Sequence, residues 1–192
     1  MTGRTHDAAA FVALSVVALS QPLVPVTLPT LLLALLANQI GGIAPDIDQP
    51  TAPFWRNLPV GRVFGRAFGL LSGGHRFITH SLLGLALAGV AVDALLHALH
   101  PIMPNVNLGY VWWSFMIGML SHLVMDSITR EGVPWLLPIP IKFGFPPVKR
   151  LRVVTGKKFE IFIIFPGIIL IGALFYATHY AAAVHFLHHS VV

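Results

Sequence analysis

Five mostly apolar stretches, each close to the length needed to cross a bilayer, divide this chain. They run over residues 7–20, 27–44, 78–99, 108–128 and 159–182. A helix crossing the hydrocarbon needs about 20 such residues. The pattern therefore predicts an all-α, polytopic membrane helical bundle of about five transmembrane helices, forming one integral membrane domain over residues 1–192. Pro22 and Pro25 separate the first two stretches, and Pro101, Pro104 and Asn105 separate the third from the fourth. The first stretch is short. With Arg4 before it and small residues near Ala18 and Ser20, it has features of a secretory signal. Four further apolar stretches follow, so it is read as a retained first helix.

Two longer connections join these stretches. Residues 49–74 mix Arg56, Arg62 and Arg66 with Trp55, Phe64, Phe68 and Leu71, the composition of a basic amphipathic segment lying on lipid headgroups. Residues 131–158 begin Pro-rich and continue through Val153, Val154, Thr155 and Gly156, where a small hairpin is predicted.

Composition agrees with the pattern. Hydrophobic residues make up 56% of the chain and charged residues 10%, against about 25% charged in a soluble domain. Too few charges remain to cover a water-facing surface, so membrane lipids are the expected partner. The absence of cysteine excludes disulfide frameworks and thiolate metal sites. A net charge of +5 reads as a topology signal rather than a nucleic-acid surface, and no nucleic-acid-binding motif accompanies it. With five crossings, all twelve Lys and Arg residues fall on the side holding the N-terminus and both long connections, or at its helix ends. The other side, residues 21–26, 100–107 and the C-terminus, has none. Basic loops mark the cytoplasmic side, which predicts a multi-pass inner (plasma) membrane protein with its N-terminus cytoplasmic and its C-terminus outside.

The same topology gathers ionisable residues at the basic side. His6 begins helix one, Asp46 and Asp48 follow helix two, His75 and His80 precede helix three, and His122 and Asp126 close helix four. Taken singly, each has an ordinary explanation. His122 and Asp126, four apart, share a helix face and could be a polar contact between membrane helices. Asp46 and Asp48 could solvate the turn after Pro45. His75 and His80, five apart, converge only if His75 sits in the entering loop with Thr79 or Ser81 near the cap. Together they are seven candidate ligands at one level, where ionisable groups near hydrocarbon are costly unless paired, hydrated or metal-bound. Three carboxylates and four imidazoles suit divalent Zn, Mn, Fe or Mg. Seven ligands exceed the need of one tetrahedral ion, so two ions about 3.5–4 Å apart are expected.

The chain resembles the YdjM-like family of membrane-bound, metal-dependent hydrolases, one member of which is described as LexA-binding. The resemblance rests on Thr5-His6, Pro45-Asp46-Ile47-Asp48, His75-Arg76 with Thr79-His80-Ser81, and Ser121-His122 with Asp126-Ser127. Glu160, after Thr155-Gly156, fits its later part, and the likeness covers roughly residues 5–165. It implies a hydrolase of undefined substrate. The expected mechanism is metal-assisted hydrolysis, in which ions held by the seven residues lower the pKa of water and stabilise charge developing on the substrate. Arg76 is a candidate phosphate grip or a topology-setting charge. Thr79, Ser127 and Thr129 are candidates to orient the ligands. Glu160 is read as a cap of helix five, with a general-base role as the alternative. A site at the interface suggests a phosphoester in a lipid or lipid-linked substrate.

Rival readings carry distinct signatures. Metal-free lipid phosphatases use a nucleophilic His with a second His–Asp pair; Ser72-Gly73-Gly74-His75 and His122 with Asp126 match superficially, but Asp46 and Asp48 have no place there. A metal transporter needs ligands near mid-membrane and a path to both sides, whereas this cluster lies at one end. A scaffold for a cytoplasmic regulator would use the basic loops, which topology already explains. On the outer side, Asp93, His97 and His100 share a helix face, read as a hydrogen-bonded Asp93–His97 pair. His179, His185, His188 and His189 are read as a wet tail rather than a second metal site.

Overall fold

The computed structural model describes residues 1–21, 26–49, 52, 55, 61–71, 76–139 and 141–190. Seven α-helices occur among them: α1 (Gly3–Ser20), α2 (Leu28–Ile43), α3 (Gly61–Leu71), α4 (Leu82–Leu99), α5 (Leu108–Ser127), α6 (Phe165–Thr178) and α7 (Tyr180–His185). A 3₁₀ turn, Ala44–Asp48, extends α2, and a π-helical turn, Glu160–Ile164, leads into α6. Four segments are long and apolar enough to cross a membrane: Leu28–Asp48, Leu82–Ile102, Leu108–Ser127 and Glu160–Thr178. With α1 packed beside them, the expected bundle of about five helices is present.

Boundaries moved where polar residues take part in helices. α1 starts at Gly3 rather than near residue 7, because the polar Arg4, Thr5, His6 and Asp7 form its first turns instead of a loop. α4 starts at Leu82 rather than 78, because the Ser81 hydroxyl accepts from the Gly84 amide at 3.0 Å and caps the helix there. The fifth apolar stretch breaks at His179, which separates α6 from α7. The amphipathic helix expected in the first connection is α3. The predicted hairpin is absent: among the described residues Val153 makes an isolated parallel bridge to Thr129, and residues 155–156 form a turn. Val153 pairs with the end of α5 instead of a neighbouring strand, its amide donating to Ile128 O at 3.0 Å.

The centre of the bundle is the crossing of α2 and α5. A Cβ placed on Gly41 would lie 2.1 Å from Phe115 O, and one on Gly118 would lie 2.1 Å from Asn38 O. Only glycine allows this approach, and lipid supplies no hydrophobic drive between helices, so close van der Waals contact must hold the pair. Asn38, fully buried, adds a hydrogen bond to Ser114 O at 3.1 Å. α1 leans on this pair, with Ala10 against Gly42. α4 joins through Trp112 Nε1, which donates to Gly89 O at 2.8 Å, and α6 joins α1 through Ser15 and Tyr176 at 2.7 Å. Outward faces such as Leu32, Leu36, Leu87, Val90, Leu170 and Ile171 remain exposed and apolar, as lipid contact requires.

Candidate metal centre

Beyond the α2–α5 crossing, polar side chains are buried together. Gly118 lies one turn before His122 and Gly41 adjoins Gly42, so the crossing brings the imidazole to the Gly42 carbonyl, 2.6 Å from Nδ1. A carbonyl only accepts, so Nδ1 carries the proton and Nε2 keeps its lone pair. His122 Nε2 has no hydrogen-bond partner and lies 3.7 Å from both Asp46 Oδ1 and Asp126 Oδ2.

His80 is oriented by a relay. Asp48, fully buried, accepts from Thr79 Oγ1 at 2.6 Å and from the Arg76 amide at 2.9 Å. The Thr79 hydroxyl spends its O–H donating to Asp48, so at 3.0 Å its oxygen accepts from His80 Nδ1. His80 Nε2 then faces Asp46 Oδ1 at 3.7 Å and Asp126 Oδ2 at 3.6 Å. His6 comes from the first turn of α1. Its ring stacks on His122 at 3.6 Å, neither ring nitrogen has a hydrogen-bond partner, and Nε2 is 3.4 Å from Asp126 Oδ1.

Five of the expected ligands thus meet in two overlapping groups, His6 with His122 and Asp126, and Asp46 with His80 and His122. Separations of 3.6–3.7 Å are long for hydrogen bonds. They suit atoms that each sit about 2 Å from a shared ion. The buried nitrogens of His6 and Nε2 of His122, without donors or acceptors, are expensive in a metal-free protein, and this donor set of nitrogen and carboxylate oxygen fits a divalent ion.

The remaining expected residues are placed differently. Asp48 belongs to neither group; Thr79 and the Arg76 amide hold its Oδ2, the oxygen nearest His80, so through Thr79 it orients that ring. His75 lies outside the described residues. Arg76 is buried at a φ of 58°, with its guanidinium 2.5 Å from Asp126 Oδ2 and 3.0 Å from Thr129 Oγ1, and 3.5 Å from the exposed Glu131 carboxylate. The Met1 amino group also contacts Asp126. Thr129 donates to Asp126 O at 2.7 Å, the supporting place expected of it. Ser127 touches no ligand; it donates to Leu123 O and accepts from Trp135 Nε1, both at 2.9 Å. Glu160 is fully buried and accepts from Thr2, Thr5 and Gly156. Sequence reasoning missed the Gly42 carbonyl, although the Gly41-Gly42 pair inside an apolar helix and Gly118 in the middle of another signal a close crossing. In the C-terminal half of α4, at the end of the helix away from the cluster, His97 Nδ1 is 2.9 Å from Asp93 O and 3.5 Å from Asp93 Oδ1, both residues exposed.

Comparison with known proteins bears on this motif set. The chain is 28% identical over 161 residues to the uncharacterized protein YvsG of Bacillus subtilis, covering 83% of this chain and 85% of that one. It is 32% identical over 116 residues to the inner membrane protein YdjM of Escherichia coli, and equally to that of Shigella flexneri. Those matches cover 54% of this chain and 48% of each relative, so the chain spans about half the length of these two. No solved structure matches. The description YdjM inner membrane protein attaches to a family whose profile runs over residues 1–189, taking in His6, Asp46, His80, His122, Asp126 and Glu160. With several apolar helices this makes a multi-pass inner membrane protein, and the chain belongs to the YdjM inner membrane protein family.

Proposed function

We propose that the chain is a membrane-bound, metal-dependent hydrolase of a phosphoester in a lipid or lipid-linked substrate, working at the cytoplasmic face. One observation carries this reading: His122, locked by Gly42 O, presents Nε2 to two carboxylates beside two further imidazoles in a buried cluster. Divalent metal held there by His6, Asp46, His80, His122 and Asp126 would supply Lewis-acid stabilisation of charge developing on the substrate. Both ligand groups share His122, and with Nδ1 committed to Gly42 only one nitrogen is available. That nitrogen serves one ion. Asp126 turns Oδ1 to His6 and Oδ2 to His80 and His122, which is what a carboxylate bridging two ions requires; two ions sharing Asp126 is therefore our reading. Arg76, buried against Asp126, offers the fixed cation for a phosphate oxygen.

An open apolar groove of about 410 Å³ between α1, α5 and α6 supports a lipid substrate. Ala9, Val12, Leu120, Met125 and Ile171 line it, and Ser121 and Met125 adjoin His122 and Asp126 in the chain. Purified protein should contain about two equivalents of Zn, Mn, Fe or Mg by elemental analysis, and His122→Ala and Asp46→Ala should lower that content. Phosphate release from phosphatidic acid in mixed micelles should stop with chelator and resume with metal. Stoichiometric metal absent from wild type, with chelator-insensitive hydrolysis, refutes the proposal; metal retained with no hydrolysis favours a metal-binding regulatory protein.

A further inference from the structure

Glu160 stands apart from the ion cluster, yet it is fully buried and both its oxygens are engaged. Oε1 accepts from the Thr2 amide at 2.6 Å, Thr2 Oγ1 at 2.9 Å and Thr5 Oγ1 at 2.8 Å. Oε2 accepts from the Gly156 amide at 2.7 Å, bracing the turn that leads into its own helix. The first amides of any helix lack intrahelical partners, and a negative charge there is favourable. α1 has no acidic residue in its first turn and no side-chain cap of its own. A carboxylate from the far end of the chain fills that place.

The turn so anchored carries His6. Its amide and that of Thr5 donate to Thr2 O at 3.2 and 3.0 Å. No hydrogen bond fixes the His6 ring, which stacks on His122 and lies 3.4 Å from Asp126 Oδ1, so the backbone of this turn decides whether the imidazole reaches them. We infer that Glu160 is the positioning residue for His6, capping α1 from another helix, and that it is not a general base. The inference rests on the proposed metal site for its consequence, but the placement of His6 can be read without metal.

Carbethoxylation of each histidine, followed by mass spectrometry on the full-length protein in detergent, provides that reading. His6, His80 and His122 are all buried in the wild type and should react slowly. Glu160→Ala should raise modification of His6 about tenfold and leave His80 and His122 protected. Glu160→Gln, which keeps an oxygen for Thr2 and Thr5, should restore most of the protection. Thr5→Val, a milder change, should move His6 the same way and covers the case in which Glu160→Ala fails to fold. A zinc titration forms the second arm: Glu160→Ala should weaken binding about tenfold in wild type and have no added effect in His6→Ala. Equal exposure of all three histidines, or no change at His6, overturns the inference. Zinc binding absent from wild type while the His6 pattern holds defeats the metal proposal alone.

Discussion

Thr79 shows how one hydroxyl decides what a neighbouring imidazole can do. Its proton goes to Asp48 and its lone pair to His80 Nδ1, so His80 Nε2 is left as a ligand atom. Thr79→Val keeps the shape but removes both roles. A buried carboxylate then loses a donor and a buried ring N–H loses an acceptor, at a cost of about 1–3 kcal/mol. Loss of such an orienting contact weakens metal binding about 10–100-fold. Competition against a fluorescent chelator should show that fall for Thr79→Val and little change for Thr79→Ser. Unchanged affinity in the valine variant would mean that His80 is not a ligand. Of this relay, the sequence displayed Thr79 and Asp48 as nearby polar residues, but the direction of the proton depends on which oxygen faces which ring nitrogen.

At the level of elements, the α2–α5 crossing sets the separation of the ligands. Gly118 faces Asn38 O and Gly41 faces Phe115 O, in each case backbone against side-chain space. Backbone cannot rotate away as a flexible side chain can, so Gly118→Ala must push the helices apart. The expected cost is about 1–3 kcal/mol of overpacking strain. The separation also draws His122 Nδ1 from Gly42 O and should lower metal affinity at the same time. Gly167→Ala is the matched control, since a Cβ there meets nothing within 4 Å. Thermal unfolding in detergent, followed by tryptophan fluorescence, should show a lowered midpoint for Gly118→Ala and an unchanged one for Gly167→Ala. Helix identity was legible from apolar length, because lipid demands it of every spanning segment. Helix starts were not, because capping by Ser81 and the polar first turns of α1 answer to local hydrogen bonds instead.

On the scale of the whole molecule, contacts bring the start of α1, the end of α2, the loop before α4, the end of α5 and the start of α6 to one end of the bundle. The basic residues lie at that same end of the topology, which predicts that it faces the cytoplasm. The cysteine-free chain allows a direct check. A single cysteine at the exposed Lys149 should react with an impermeant maleimide only in inverted vesicles, and one at the exposed Ile102 only in intact spheroplasts. The opposite pattern would move the cluster to the outer face and remove the case for a cytoplasmic substrate. By itself the sequence determined the membrane solvent, the number of long apolar helices and the end at which the ionisable residues collect, since these follow from hydropathy and charge summed over long segments. Tertiary structure alone decided that five of those residues meet, that Asp48 orients His80, that Arg76 lies against Asp126 and that Glu160 caps α1. Such outcomes turn on ångström-scale helix approach and on single polar contacts between residues 31 to 155 positions apart, which no local pattern encodes.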